Sequence, residues 1–251
     1  MKRLEGKVAI VTGGARDLGR QVSLTLAREG AKVVVNYFDN PEDADTTLQM
    51  IADMGGEGIK VQGDMTKAED VKRLVEEGVK AFGEHIHVLV NVVGGIVGRK
   101  KITEQDEAWY NFLMDVNMKS CWLCTREVVP HMPAGSSIVN FSSLAARDGG
   151  GNGASMYATA KGAVAVFTRS MAKELGPDGI RVNAVAPGTI ATSFHDRFNT
   201  PENRERMKGI YPLRREGDAQ DVADLVLFLA CDESDYITGT NIDINGGMFF
   251  S

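Results

Sequence analysis

Short runs of β-branched residues alternate along the chain with longer amphipathic segments. The amphipathic segments repeat apolar residues at the i, i+3, i+4 spacing of a helix with one buried side. Strands and helices that alternate in this way form right-handed crossovers, which produce a parallel sheet with helices on both faces. The predicted strands are Val8–Val11, Val33–Val35, Ile59–Val61, Val88–Val90, Ile138–Phe141, Val182–Val185 and Ile242–Ile244. The predicted helices are Gly19–Arg28, Ala44–Met54, Ala68–Phe82, Ala108–Val129, Ser155–Leu175 and Ala219–Leu229.

No internal repeat, low-complexity segment or Pro-rich linker divides the chain, and the last strand needs the others for pairing. We therefore expect one α/β domain over residues 1–251. Its fold class is a Rossmann-type doubly wound parallel sheet of about seven strands with helices on both faces.

Composition and charge exclude several classes of protein. The formal net charge of −6 argues against nucleic acid as a partner. No apolar run approaches the roughly 18 residues of a membrane span, so we expect a cytoplasmic protein without a membrane partner. The 3 cysteines are too few for a disulfide framework. Cys121 and Cys124 form a C-x-x-C pair inside an apolar helical segment, which we interpret as two buried side chains, and we predict no metal site.

A glycine-rich turn follows the first strand and opens a helix, with the sequence Thr12-Gly13-Gly14-Ala15-Arg16-Asp17-Leu18-Gly19. In a doubly wound sheet such a turn lies at the carboxyl edge, where N–H groups at the helix N-terminus receive a pyrophosphate. The spacing is not G-x-G-x-x-G, and a turn that merely needs glycine gives a similar pattern.

Tyr157 and Lys161 are four residues apart and therefore lie one above the other on a helix face. An ammonium close to a phenol favours the phenolate, so the pair can exchange a proton with a substrate oxygen near pH 7. A lysine packed beside a half-buried tyrosine gives the same spacing without chemistry. Ser142 and Ser143 favour the chemical interpretation, because they end a predicted strand at the edge where the glycine-rich turn lies.

These motifs resemble the short-chain dehydrogenase/reductase family over nearly the whole chain. The family's turn reads Thr-Gly-x-x-x-Gly-x-Gly, which Thr12, Gly13 and Gly19 match, whereas Asp17 replaces the middle glycine. A carboxylate at a helix start suits the helix dipole as a cap, yet it would lie near the phosphates. Asp17 therefore either points outward or reduces the affinity for the cofactor.

The resemblance implies a catalytic set of Asn117, Ser143, Tyr157 and Lys161. Ser143 would bind the carbonyl or carbinol oxygen, and Tyr157 would be the general acid/base. Lys161 would lower the pKa of Tyr157 and bind the nicotinamide ribose, and Asn117 would hold a water that relays protons to Lys161. Ser142 is the alternative serine, but the family's usual serine-to-tyrosine spacing favours Ser143.

The resemblance also implies a dinucleotide site. Asp64 falls where the family has an adenine-contacting acid, Asn91 and Gly94 keep the ends of an Asn-Asn-Ala-Gly motif, and Pro187 opens a Pro-Gly-x-x-x-Thr turn. The implied cofactor-binding residues are Gly13, Arg16, Asp17, Leu18, Gly19, Asp64, Met65, Asn91, Gly94, Tyr157, Lys161, Pro187, Gly188, Ile190 and Thr192.

The signals for NADP or NAD conflict. The family's NAD-type acid falls at Tyr37 and the basic residue of many NADP forms falls at Phe38, and neither has the expected charge. Arg16 suits a 2′-phosphate and Asp39 suits a free ribose diol. We favour NADP over NAD.

The expected partner is a small-molecule carbonyl or alcohol, bound under a substrate lid near residues 193–212. Arg99, Lys100, Lys101 and Arg147 near one pocket mouth suggest an anionic compound such as a keto sugar acid, although solvated surface charge gives the same pattern. One alternative is a 3-oxoacyl-(acyl carrier protein) reductase, which the absence of Lys and Arg from residues 130–136 disfavours. Another is a catalytically silent dinucleotide-binding regulator. An apolar C-terminal tail favours a homo-oligomer, a dimer or tetramer.

Overall fold

The computed structural model describes residues 2–192, 205–206 and 208–250. Seven strands of this part of the chain form one parallel sheet in the order β3-β2-β1-β4-β5-β6-β7. The order reverses between β1 and β4, which is where doubly wound sheets open a binding crevice. The prediction of about seven parallel strands is confirmed. The strands are β1 (Val8–Thr12), β2 (Lys32–Tyr37), β3 (Gly58–Gln62), β4 (Val88–Asn91), β5 (Ser137–Phe141), β6 (Arg181–Pro187) and β7 (Asn241–Ile244).

Helices cover both faces of the sheet, as predicted. Successive strand residues point to opposite faces, so Val11 packs into the core under α1 and α8 while Ile10 packs into the core under α3, α5 and α7. The helices are α1 (Asp17–Arg28), α2 (Pro41–Asp53), α3 (Ala68–Phe82), α4 (Glu107–Met114), α5 (Ser120–Val128), α6 (Ala145–Asp148), α7 (Ser155–Leu175) and α8 (Ala219–Ala230).

The prediction of a single helix over Ala108–Val129 is wrong for the middle of that segment. A π-helical turn at Asp115–Lys119 separates α4 from α5. The Asn117 side chain donates to the Leu113 carbonyl at 3.0 Å, a local bond that competes with the regular helix ladder. The turn carries Asn117 into the interior, where it is buried.

The expectations for the cysteines, for a membrane span or metal site, and for the substrate lid can be compared with the structure. Cys121, Cys124 and Cys231 are unpaired and buried. Within the described ranges, no helix is long and apolar enough to cross a membrane, and no three His, Cys, Asp or Glu side chains are grouped as a metal site. Of the predicted lid, residues 193–204 and 207 lie outside the described residues.

Candidate active site

A cleft of about 920 Å³ runs along the carboxyl edge of the sheet. It extends from the ends of β2 and β3, past the glycine-rich turn, to the loops after β4, β5 and β6. Most of the residues predicted for the site line this cleft, whereas Asn91 and Asn117 lie beneath it. The predicted residues in its lining are Gly13, Arg16, Asp17, Leu18, Gly19, Asp64, Met65, Gly94, Ser143, Tyr157, Lys161, Pro187, Gly188, Ile190 and Thr192.

The glycine-rich turn is held in place by Asn36, a residue that the sequence analysis missed. The Asn36 carboxamide oxygen accepts from the Gly13 N–H at 3.0 Å, and its Nδ2 donates to the Gly63 carbonyl at 3.1 Å. The side chain is buried at the end of β2. A single carboxamide therefore connects the turn after β1 with the end of β3. Its sequence signal is a polar residue in an otherwise apolar strand.

The start of α1 requires close packing against the turn. A Cβ on Gly19 would collide with the Gly13 carbonyl oxygen, so only glycine permits this approach. Asp17 adopts a φ of +49° at the position of the missing middle glycine, a conformation that favours glycine. Asp17 is the first residue of α1, and Arg16 is the N-cap residue and makes no side-chain capping bond. Asp17 therefore lies in the first turn of α1, where a carboxylate suits the helix dipole, and not at the N-cap position.

Charged groups of both signs line the far end of the cleft near β2 and β3. Arg16 and Asp39 are both exposed there, and Lys67 adds a cation that the sequence analysis did not identify. The Asp64 Oδ1 accepts from the Thr66 N–H at 2.9 Å and from its hydroxyl at 2.8 Å. The Asp64 carboxylate is thus fixed by a local turn.

The Asn91 side chain points away from the cleft, in contrast to its predicted place among the cofactor-binding residues. It is buried, and its Nδ2 donates to the Asn140 Oδ1 at 2.9 Å and to the Thr125 hydroxyl at 3.3 Å. Parallel register places Asn91 beside Asn140 at the strand ends, which explains this pairing. Asn91 supports the floor of the cleft from below.

Ser143 and Tyr157 meet in the cleft wall. The Ser143 hydroxyl acts to lower the pKa of Tyr157, while burial acts to raise it and prevails. Lys161 was expected to lower this pKa, but it is not among the influences on Tyr157 in this structure. The phenol is therefore protonated at neutral pH.

Lys161 is buried at the base of the cleft with 2% of its surface exposed. Its Nζ donates to the Phe141 carbonyl oxygen at 2.7 Å. Burial lowers the pKa of Lys161 to about 8. A buried ammonium with so low a pKa is typical of a functional site.

The structure distinguishes the two adjacent serines. The Ser142 hydroxyl is buried and donates to the Lys161 carbonyl at 3.0 Å. The Ser143 hydroxyl lies in the cleft beside Tyr157 and also accepts from the Ala145 N–H at 3.1 Å. Both serines border the cleft, and Ser143 is the less buried of the two.

Asn117 holds the loop that passes over Lys161. Its Oδ1 accepts from the Gly95 N–H at 2.8 Å, and its Nδ2 donates to the Gly95 carbonyl at 3.1 Å. A Cβ on Gly94 would lie 2.7 Å from both the Asn117 Oδ1 and the Lys161 Nζ. Only glycine therefore allows the loop to pass this closely over the two side chains.

Only one of the four predicted basic groups lines the cleft. Arg99 does so, and it donates to the Asn152 carbonyl at 3.0 Å. Lys100 lies over the Trp109 ring, 4.7 Å from its centroid. Arg147 is paired with Asp243 on β7, so its expected place at the pocket mouth was wrong.

The residues present fit a dinucleotide. Glycines let the turn after β1 approach a ligand closely, the N-terminus of α1 supplies N–H groups, and the cleft volume suits a cofactor together with a small substrate. Such a ligand would extend from Arg16 and Asp39 to the Ser143–Tyr157 pair and the loop from Pro187 to Thr192.

Known proteins agree with this architecture. A family model described as an enoyl-(acyl carrier protein) reductase matches residues 13–249. The 3-oxoacyl-[acyl-carrier-protein] reductase FabG of Staphylococcus aureus is 37% identical over 245 residues, which cover 97% of this chain and 98% of that protein. A short-chain dehydrogenase/reductase from Serratia marcescens superposes with a TM-score of 0.93 at 31% identity, over 98% of this chain and 99% of that one. A blue fluorescent protein from a metagenomic library, solved in complex with NADPH, has a TM-score of 0.92 at 30% identity and covers 99% of this chain and 100% of its own.

Proposed function

The chain belongs to the short-chain dehydrogenase/reductase family, and on that premise we propose that Ser143, Tyr157 and Lys161 form its reacting centre. The protein is an NAD(P)-dependent oxidoreductase that acts on carbonyl or alcohol groups. The observation that carries the proposal is that Ser143, Tyr157 and the buried Lys161 line one cleft, where the Ser143 hydroxyl acts on the Tyr157 phenol.

Each side chain has a separate task in the proposed reaction. Ser143 orients the substrate oxygen, and Tyr157 donates its proton to that oxygen during reduction. Lys161 binds the ribose of the cofactor. Asn117 positions the loop that passes over Lys161. Asn117 also holds a water that relays protons to Lys161. A bound nicotinamide cofactor would supply or accept the hydride. The raised pKa of Tyr157 keeps its hydroxyl protonated at neutral pH.

Removal of one hydroxyl tests the reacting centre. Tyr157→Phe should lower the rate of cofactor consumption with an authentic carbonyl substrate by about 10²–10⁴-fold. Its affinity for NADPH, measured by fluorescence titration, should stay near that of the wild type. Tyr110→Phe, at an exposed tyrosine of α4, is the matched control. Retention of most of the wild-type rate by Tyr157→Phe would contradict the assignment.

We propose NADPH as the preferred coenzyme, with Arg16 on the 2′-phosphate. The exposed guanidinium lines the end of the cleft near β2 and β3, to which Lys67 adds a second cation and Asp39 a carboxylate. A charge-assisted contact worth roughly 1.5–3 kcal/mol gives a preference of about tenfold or more. Arg16→Ala should lower kcat/KM for NADPH and leave that for NADH unchanged, whereas Arg28→Ala, at the other end of α1, should change neither. Equal use of both coenzymes by the wild type would refute the proposal.

For the substrate, we propose a small carbonyl compound, with Arg99 as the cleft cation that would favour an anionic one such as a keto sugar acid. The second candidate is a 3-oxoacyl group on an acyl carrier protein, which the name of the S. aureus relative supports. Lys119 near the cleft is paired with Asp115 at 3.4 Å, which leaves less positive charge for an acidic carrier. Comparing one 3-oxoacyl group on the carrier protein and on a short thioester distinguishes the candidates. A higher kcat/KM with the carrier would favour the second.

We also propose that the protein forms a homo-oligomer. Tyr110, Trp122 and Val166 on α4, α5 and α7 are large apolar side chains that are at least 41% exposed in the isolated chain. Such exposure is typical of surfaces that bind another protein. Light scattering after gel filtration should give a dimer or tetramer, and a monomer at micromolar concentration would refute the proposal.

A further inference from the structure

We propose that Arg147 is a positioning residue that holds α6, and through it Ser143, in register with Tyr157. This inference rests on the proposed function. Arg147 does not line the cleft, and its partners are on β7, which contributes no residue to the described cleft lining. We call Arg147, Asn241 and Asp243 the β7 clamp.

The β7 clamp is a partly buried, two-point contact. The Arg147 Nε donates to the Asp243 Oδ1 at 3.1 Å, and its Nη2 donates to the Asn241 backbone carbonyl at 2.6 Å. The two charged side chains are 21% and 13% exposed. A contact this shielded is screened less by salt than a surface ion pair.

The short helix α6 depends on this contact for its position. It has four residues, too few to be stable without tertiary contacts. At its start the Ser143 hydroxyl accepts from the Ala145 N–H, and Leu144 donates to the Pro187 carbonyl at 3.0 Å. At its end Arg147 binds β7. Ser143 and the β7 clamp are therefore at opposite ends of one helical turn.

Strand β7 also reaches the residue on the other side of Ser143. The Asn241 Nδ2 donates to the Ser142 hydroxyl at 3.4 Å, and this hydroxyl donates to the Lys161 carbonyl on α7. The same strand thus contacts Ser142 directly, the end of α6 through Arg147 and, through Ser142, the helix that carries Tyr157. This explains how β7 can align Ser143 with Tyr157 from outside the cleft.

Arg147 supplies the counter-charge for the partly buried Asp243 carboxylate. The Asp243 Oδ2 and the Asn241 Oδ1 are buried and have no partner in the described structure. Loss of Arg147 would leave the Asp243 carboxylate buried without a counter-charge, which is strongly unfavourable. In a protein that lacks Arg147, the further substitution Asp243→Asn removes the unpaired charge. It does not restore the contact between α6 and β7. The two substitutions therefore separate stability from positioning.

The experiment compares Arg147→Met, Arg147→Lys and the double variant Arg147→Met/Asp243→Asn. Arg147→Met should lower kcat by about 10–100-fold, because a displacement of about 1 Å has this effect, with unchanged affinity for NADPH. Arg147→Lys should recover part of kcat, since an ammonium can pair with Asp243. The double variant should regain melting temperature relative to Arg147→Met but not kcat.

Two further readouts are specific to positioning. Displacement of Ser143 removes the influence that lowers the pKa of Tyr157, so the pH profile of alcohol oxidation by Arg147→Met should move to higher pH. Amide hydrogen exchange of residues 144–149 should accelerate in this variant. Arg181→Met, at a buried arginine on the opposite end of β6, should lower the melting temperature and leave kcat and the pH profile unchanged.

An Arg147→Met protein with wild-type kcat and pH profile would overturn the inference. Recovery of kcat by the double variant would also overturn it, because the loss would then come from stability. A wild-type protein that turns over no carbonyl or alcohol would refute the proposed function instead, and hydrogen exchange would still show whether Arg147 orders α6.

Discussion

Replacement of Lys161 by methionine is expected to stabilise the fold at neutral pH while it abolishes turnover. Lys161 is 2% exposed, and burial lowers its pKa from 10.5 to about 8. At pH 7 the group is still protonated, so the folded protein holds a buried positive charge. Methionine fills nearly the same volume without that charge.

The magnitude follows from the pKa. A fall from 10.5 to about 8 makes protonation about 3 kcal/mol less favourable in the folded than in the unfolded chain. The lost hydrogen bond to the Phe141 carbonyl offsets about 1–2 kcal/mol of this. The net gain of about 1–2 kcal/mol corresponds to a rise of about 2–8 °C in melting temperature for a chain of this size.

The pH dependence has a definite sign. The folded protein releases the Lys161 proton at lower pH than the unfolded chain, so wild-type stability rises between about pH 8 and 10.5. The advantage of Lys161→Met should therefore be full below about pH 8 and narrow above it. Melting curves of both proteins at neutral pH and near pH 9.5 measure the difference. Lys173→Met, at an exposed lysine of the same helix, is the control and should show no such change.

Two results would refute this reasoning. One is a Lys161→Met protein that melts at or below the wild-type temperature at neutral pH. The other is a difference between the two proteins that stays constant up to pH 9.5. Either result would mean that the Phe141 carbonyl and its surroundings solvate the ammonium as well as water does.

Gly94→Ala should destabilise the protein by about 1–3 kcal/mol in urea titration and reduce turnover, because the added Cβ meets the Asn117 oxygen and the Lys161 ammonium; a stable, fully active variant would contradict the close approach. Asp17→Asn and Asp17→Gly should both tighten NADPH binding, by 1 kcal/mol or about fivefold at most. Weaker binding by Asp17→Gly would show that the carboxylate faces away from the phosphates. Because burial raises the pKa of Tyr157, alcohol oxidation should accelerate as pH rises above neutrality, and a flat pH profile would be evidence against Tyr157 as the base.

Periodicity predicted the long regular elements well. The bounds of α3 and α7 agree with the predicted Ala68–Phe82 and Ser155–Leu175, because long amphipathic segments carry a strong repeating signal. The π-helical turn at Asp115–Lys119 could not be predicted, since it depends on where the Asn117 carboxamide finds backbone partners.

The predicted residues of the site came together wherever strand ends meet at one edge of the sheet. Their electrostatics depended on three-dimensional surroundings instead. The pKa of Tyr157 is set by burial, and Arg147 pairs with a residue 96 positions away along the chain. No local pattern in the sequence encodes such a distant partner.

The hydrogen bonds of Asn36 have a consequence for the evolution of coenzyme preference. Asn36 anchors the glycine-rich turn from inside the sheet, whereas the nearby Phe38 is 63% exposed and Asp39 lies exposed in the cleft lining. Substitutions at the two exposed positions therefore leave the anchor of the turn intact. Substitutions at Phe38 and Asp39 could therefore change the proposed coenzyme preference without disturbing the glycine-rich turn or the proposed reacting centre.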